Sequence, residues 1–217
     1  MRTELNRGFT LIEVLVTLVI LMFGLLGIAG LMAKGQRASF EAYQRQAALS
    51  IANDMAERMR SNRTQAATYA AGATTVTPVG NRVRYDNLLD GSITNCGTLV
   101  APTSCTGAEL VAYDIALWDG QLVGYGERQL AGTTLVGGIV GAVGCIEDTT
   151  PAPAPACPAA PAPLGTLINR NYRVSVAWQG SEDTVAPTTS TCGAGNFGTA
   201  TRRRVVSLDT LLFQPCP

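Results

Sequence analysis

From Phe9 to Ala33 the chain is apolar, and Glu13 is the only ionisable side chain in the stretch. As a helix it rises ~37 Å at about 1.5 Å per residue, enough to cross a hydrocarbon core of roughly 30 Å. A run of this length and character predicts a membrane span over residues 9–33. The carboxylate near one end is the anomaly. An acid at the bilayer centre costs on the order of 3 kcal/mol on insertion scales, less near the interface, and such residues generally have a partner.

The segment before the span sharpens the question. Met1–Gly8 carries Arg2, Glu4 and Arg7 and has no apolar core. An ordinary secretory signal places its apolar segment ahead of the cleavage site, whereas here it follows Gly8. With Arg7-Gly8-Phe9-Thr10-Leu11-Ile12-Glu13 as it stands, the start of the chain resembles the class III leader of type IV pilins and pseudopilins. The resemblance implies that residues 1–8 are a leader and that a prepilin peptidase cuts after Gly8 and methylates the new amino group of Phe9. It also implies that Glu13, then the fifth residue, faces the terminal ammonium of a neighbouring subunit. The physics agrees: opposite charges in a low-dielectric fibre core compensate one another, and each alone is costly. The implied partners are the prepilin peptidase, other minor pilins, the major pilin and the inner membrane, with incorporation into the pilus after processing. No cofactor is implied.

Composition narrows the chemistry. The 217 residues accommodate an anchor and one modest domain. Net charge is zero and neither half is strongly basic or acidic, so no nucleic-acid partner is expected. Histidine is absent and Lys34 is the only lysine. That excludes Ser–His and Cys–His nucleophile pairs, His-ligated zinc and a His proton shuttle. Neither a catalytic constellation nor a metal site is expected. Arg2 and Arg7 precede the span while Lys34, Arg37 and Arg45 follow it, so the positive-inside rule does not orient it. The cysteines do. Cys96, Cys105, Cys145, Cys157, Cys192 and Cys216 all lie outside the anchor, and an even number there points to disulfides in an oxidising compartment, hence a periplasmic head. Spacing leaves many pairings open. Nearest neighbours are expected: Cys96–Cys105, Cys145–Cys157 and Cys192–Cys216, the last closing a loop near the carboxyl end as the resemblance implies.

Along the chain, Gly24, Gly27 and Gly30 recur inside the span. In the pilins this region can lose helical order in the fibre, so a soft segment is expected at Gly24–Gly30. Gln36–Arg60 contains neither Pro nor Gly, and Ala48, Ile51, Ala52, Met55 and Met59 form a stripe at helical spacing. Glu41–Arg45 and Asp54–Arg58 are i,i+4 pairs with the acid first, each worth a few tenths of a kcal/mol. One helix is therefore expected from Phe9 to Ser61, with residues 34–62 as its periplasmic extension. The head follows over 63–217. Ser61–Gly80 reads as a loop with a helical turn at Gln65–Ala71, and Arg82–Leu89 as a short strand or turn. Leu110–Leu122 alternates like a strand at Val111, Tyr113, Ile115 and Leu117, yet Leu110, Asp114, Leu117, Trp118 and Gln121 share a helical face. Asp114-x-x-x-Trp118 with Leu122, and Ala56-Glu57-Arg58-Met59-Arg60-Ser61-Asn62-Arg63, resemble the minor pilin subfamily PilV, and helix is preferred.

Thr133–Cys145 alternates glycine with Val and Ile and suggests a strand with bulges. Pro151–Pro163 is an extended, polyproline-type loop and a surface spacer. Tyr172, Val174, Val176 and Trp178 mark one face of a strand, and Arg202–Leu208, extended by Leu211–Phe213, returns antiparallel to it. The expected fold class is α+β, a long amino-terminal helix packed on a small antiparallel sheet. Arg202, Arg203 and Arg204 read as a solvated strand edge. Asp86–Asp90 and Glu182–Asp183 do not match the spacing of a calcium loop.

The expected function is that of a minor pilin that helps prime pilus assembly. The alternatives are a pseudopilin of type II secretion and, in another class, a membrane-anchored periplasmic enzyme or an adhesin acting through the Pro-rich and Cys-closed loops. Mass spectrometry of the mature chain is expected to find N-methylated Phe9 at its start; retention of Met1–Gly8 would remove the pilin reading.

Overall fold

The computed structural model describes residues 10–97, 104–125, 138–158 and 165–216. The chain forms two units, Met1–Ala42 and Tyr43–Pro217. The elements in chain order are α1 (Leu11–Ser61), a 3-10 turn (Arg63–Gln65), α2 (Ala66–Gly72), α3 (Val83–Leu89), α4 (Gly107–Leu122), β1 (Val143–Asp148), β2 (Leu167–Gln179), a second 3-10 turn (Ala200–Arg202) and β3 (Arg203–Pro215). The fold is α+β, with a long apolar amino-terminal helix and a three-stranded antiparallel sheet.

In the first unit α1 is regular helix through Gly24–Gly30, and its apolar side chains are exposed. A methyl group added at Gly24, Gly27 or Gly30 would meet nothing within 4 Å.

In the second unit α1 contributes one buried face: Gln44, Ala48, Ala52, Met55, Ala56 and Met59. The alanines let neighbouring elements approach closely, while Met55 and Met59 fill the core. Against this face pack Val111, Ile115, Trp118 and Leu122 of α4, Tyr69 of α2, and the inward side chains of the sheet. Each such apolar side chain contributes about 1.5–3 kcal/mol on burial.

The sheet order is β1-β2-β3, with β2 central. In the β2–β3 register Val174 faces Leu208 and Val176 faces Val206. Tyr172, Val174, Val176 and Trp178 point into the main core. The opposite face is not solvated at this end. Ala177 joins Cys145, Cys192 and Phe197 in a second, smaller core, because residues 181–202 fold back over the sheet. Alternation along β2 therefore understates its burial.

Four expectations are corrected. The strand expected at Thr133–Cys145 begins at Val143 and runs on to Asp148; residues 133–137 lie outside the described residues. Gly144 is glycine because a Cβ there would collide with the Trp118 indole. Hydrogen bonds between Gly144 and Val79 (2.8 and 3.0 Å) cover the outer side of β1 at that point.

Arg82–Leu89, read as strand or turn, holds the helix α3. Its cap is supplied from α4. Asp119 Oδ1 accepts from the backbone N–H of Gly80 (2.6 Å) and Arg82 (3.2 Å), and Oδ2 from Arg84 (3.0 Å) and Tyr85 (3.2 Å). Those of Arg82, Arg84 and Tyr85 are amides that a helix start leaves unsatisfied, and nothing in the local sequence announces an acceptor so far along the chain.

Arg203 is not a solvated edge residue. It is 7 % exposed, and its guanidinium donates to the carbonyl oxygens of Ser190 (2.7 Å), Cys192 (2.8 Å) and Pro187 (2.9 Å). It ties the 181–202 segment to β3. Arg202 is exposed, 3.5 Å from Asp183.

The disulfides are Cys96–Cys105, Cys145–Cys192 and Cys157–Cys216, so the expected Cys145–Cys157 and Cys192–Cys216 pairs are replaced. Cys145 sits on β1 opposite Ser175, beneath the folded-back segment that carries Cys192. The chain then runs along β1 toward the other end of the sheet, where Cys216 N–H bonds Thr166 O at 3.0 Å and Cys157 meets Cys216. Neighbours in sequence are thus at opposite ends of the sheet. Non-reducing peptide mapping is expected to recover Cys145–Cys192 and Cys157–Cys216 peptides; Cys145–Cys157 peptides in folded protein would contradict this layout.

Candidate functional site

Two features carry function-related chemistry, one in each unit. The first is Glu13. It lies in the first turn of α1, where its N–H bonds Thr10 O at 3.1 Å. The surrounding Leu11, Ile12, Val14, Leu15 and Val16 are exposed, and the helix is long and apolar enough to cross a membrane. Among the described residues Glu13 forms no ion pair. A carboxylate here has helix-dipole support worth under about 1 kcal/mol, far less than an apolar environment takes from it. What the segment can do chemically is accept a cation, and where water is removed the carboxylate needs either such a partner or a proton. Gly8 and Phe9 lie outside the described residues.

The second feature fastens α4 to the Tyr43–Ser61 part of α1. Arg58 donates from Nε to Asp54 Oδ2 at 2.9 Å and from NH1 to Asp114 Oδ1 at 2.8 Å. The Tyr69 hydroxyl donates to Asp114 Oδ2. Gln121 Nε2 donates to Asp54 Oδ2 at 3.1 Å, and Trp118 Nε1 to the Ile51 carbonyl at 3.2 Å. Asn62 adds a bond from Nδ2 to Gly107 O at 2.9 Å. The local sequence makes this possible: Asp54 and Arg58 are one turn apart on α1, and Asp114, Trp118 and Gln121 are i, i+4 and i+7 on α4.

Burial, aided by the bond to Asp114, raises the Tyr69 phenol well above its ordinary range and keeps it a donor. For Arg58, burial works against the charge, but the hydrogen bonds to Asp54 and Asp114 outweigh it and raise its pKa. In sequence, Asp54–Arg58 looks like a surface pair and Asp114 only part of a motif. Tyr69 carries no local signal for its role.

The six cysteines support the head rather than a reactive centre, and all are disulfide-bonded. Among the described residues no group of three or more Cys, Asp or Glu is placed to hold a metal ion.

Comparison with known proteins bears on both features. Residues 5–29 match the family model described as the prokaryotic N-terminal methylation motif. Residues 31–116 match the Tt1218-like family model, described as type IV pilin Tt1218. No curated protein and no solved structure gives a significant match. The first match contains Gly8, Phe9 and Glu13; the second contains Arg58, Tyr69 and Asp114.

Replacing Asp114 by Asn leaves Arg58 with one carboxylate and Tyr69 with a weaker acceptor. The expected loss is about 2–3 kcal/mol, seen as a lower urea midpoint at unchanged slope. Asp86→Asn, in the exposed Arg82–Asp86 pair, is expected to shift stability by less than about 0.5 kcal/mol. Equal effects would show that the α1–α4 network is not the stronger fastening.

Proposed function

We propose that this type IV pilin-like chain is a minor pilin, a structural rather than catalytic subunit that helps prime pilus assembly with other minor pilins. The match to a type IV pilin family and the methylation motif support a pilin structural subunit. The finer reading adds a leader over residues 1–8, a membrane-spanning helix over 9–33, its periplasmic extension over 34–62 and a periplasmic head over 63–217. A prepilin peptidase cuts after Gly8, and the chain waits as a single-pass protein of the inner membrane until it enters the fibre. The observation that carries the reading is Glu13, a lone acid in an exposed apolar helix, five residues beyond Gly8 within the methylation-motif match.

Physically, cleavage and insertion are two halves of one device. Cleavage exposes an ammonium on Phe9 of each subunit, and assembly moves Glu13 into an apolar fibre core. There the two charges answer one another, so a subunit in correct register is stable and a misplaced one leaves two buried charges uncompensated. The presence of Glu13 also supports a position with other subunits above this one. The similarity of Asp114, Trp118, Leu122 and residues 56–63 to PilV supports the minor-pilin assignment.

In the native host, Glu13→Ala is expected to be cleaved and to reach the membrane normally but to enter sheared pili poorly. Breaking a buried pair costs about 3 kcal/mol or more, on the order of a hundredfold in incorporation. Wild-type protein extracted from the membrane is expected to bring other minor pilins with it. Full pilus incorporation of Glu13→Ala would overturn the reading. Loss of secretion rather than of twitching on deletion would move it to a type II secretion pseudopilin.

A further inference from the structure

β3 lies at the edge of the sheet, paired with β2 along its whole length and, among the described residues, with no other strand. Bonds just beyond the two ends of this ladder fix which backbone groups face outward. Cys216 N–H bonds Thr166 O at 3.0 Å and Gly180 N–H bonds Arg202 O at 2.8 Å, both in the register of the ladder. Opposed residues of an antiparallel pair alternate between bonded and unbonded. The even-numbered residues of β3 therefore bond β2, and the odd-numbered ones turn their N–H and C=O away from it. Val205, Ser207, Asp209, Leu211 and Phe213 form the outward set. Among the described residues none of their backbone groups has a partner.

This edge lacks the usual protection. Natural edges are kept short, bulged, or studded with lysine or proline. Here the strand has 13 residues in unbroken register, no lysine, and proline only at Pro215. Its one acid, Asp209, is held by Arg173 (2.7 and 3.1 Å). Arg203 and Arg204 reach back to carbonyl oxygens of the 181–202 segment. Leu211 and Phe213 stand half-exposed beside the outward groups. A cleft of about 270 Å³ opens at Val205, Ser207 and Asp209, with Arg45 and Leu49 of α1 also among its walls. The other edge of the sheet differs: β1 has 6 residues, and Val79 bonds Gly144 on it.

Outward N–H and C=O groups at strand spacing are complemented by a second extended chain. A further copy of this chain does not supply it. Subunits of a fibre point the same way, whereas joining one β3 edge to another needs a two-fold axis, and the copy's opposite edge is the short, covered β1. Leu211 and Phe213 call for apolar side chains at alternate positions of the incoming strand.

We propose that β3 is extended by a strand from a different pilus subunit, laid along residues 205–213 with its apolar side chains on Leu211 and Phe213. The proposal rests on the pilin reading above and specifies one contact between heads within it.

The test is amide hydrogen exchange, read residue by residue by mass spectrometry. The full chain, extracted from the native host's membrane, is compared free and in complex with the pilin subunits that come with it. In the free chain the odd-numbered amides of 205–213 are expected to exchange fast and their even-numbered neighbours slowly. In the complex the odd-numbered set is expected to slow at least about tenfold. Leu211→Pro deletes one outward N–H and spares the β2 ladder; it is expected to lower partner recovery about tenfold. Leu211→Val keeps the N–H and is expected to retain the partner. Both variants are checked for native disulfides and cooperative unfolding, and the wild-type measurement is independent of them. Unchanged exchange of the odd-numbered amides in the complex would overturn the proposal. So would full partner recovery by Leu211→Pro, or a complex made only of further copies of this chain. If the chain is processed and its edge stays unprotected, with or without co-extracted subunits, the edge proposal fails alone. If it keeps its leader and brings no pilin subunit, the pilin reading fails with it.

Discussion

The Trp118 indole joins three elements of the Tyr43–Pro217 unit at once. It is fully buried in the main core, lies against the bare backbone of Gly144 on β1, and bonds the Ile51 carbonyl of α1 through Nε1. A ring this large fits only because its neighbours are small. Gly144 leaves one side open, and Ala48, Ala52 and Ala56 keep the helix face low. Once Trp118 is seated, the facing position of α4 is set, and with it the places of Asp114, Asp119 and Gln121. Asp119 then caps α3, Asp114 receives Arg58 and Tyr69, and the sheet closes on the remaining face of α1. Local order in this unit follows from one packed residue and the polar groups its helix carries.

Much of this was legible from periodicity. The stripe on α1, the apolar face of β2 and the antiparallel return of β3 are patterns of period 3.6 or 2, and such patterns survive folding because they reflect burial of one side. The pairing Arg58–Asp54 was legible for the same reason, as a one-turn neighbour. What could not be read were effects delivered from far along the chain. α3 is a helix because a carboxylate on α4 caps it. Arg203 looks like a charged edge residue until the 181–202 segment folds over and offers three carbonyls. Tyr69 becomes a buried donor only when α4 brings Asp114 to it. In each case a short-range rule gave the expectation, and a tertiary hydrogen bond reversed or completed it.

The candidate site divides along the same line. Gly8, Phe9 and Glu13 stand out in sequence because a charge in an apolar run is visible without coordinates. The bonds from Arg58 and Tyr69 to Asp114 are invisible there. Asp114 and Tyr69 lie far apart in sequence, and only the packing of α4 against α2 and the Tyr43–Ser61 part of α1 brings them together.

The disulfide layout has a consequence for biogenesis. In chain order the bonded cysteines interleave: Cys145 and Cys157 come first, and their mates, Cys192 and Cys216, come later. A polypeptide threaded amino end first into an oxidising space presents Cys145 and Cys157 together while both mates are still on the far side. Oxidation at that moment would lock the wrong link; Cys145 must wait for Cys192 and Cys157 for Cys216. The covalent frame of the Tyr43–Pro217 unit is therefore complete only once Cys192 and Cys216 have joined cysteines that lie earlier in the chain and close to one another in sequence.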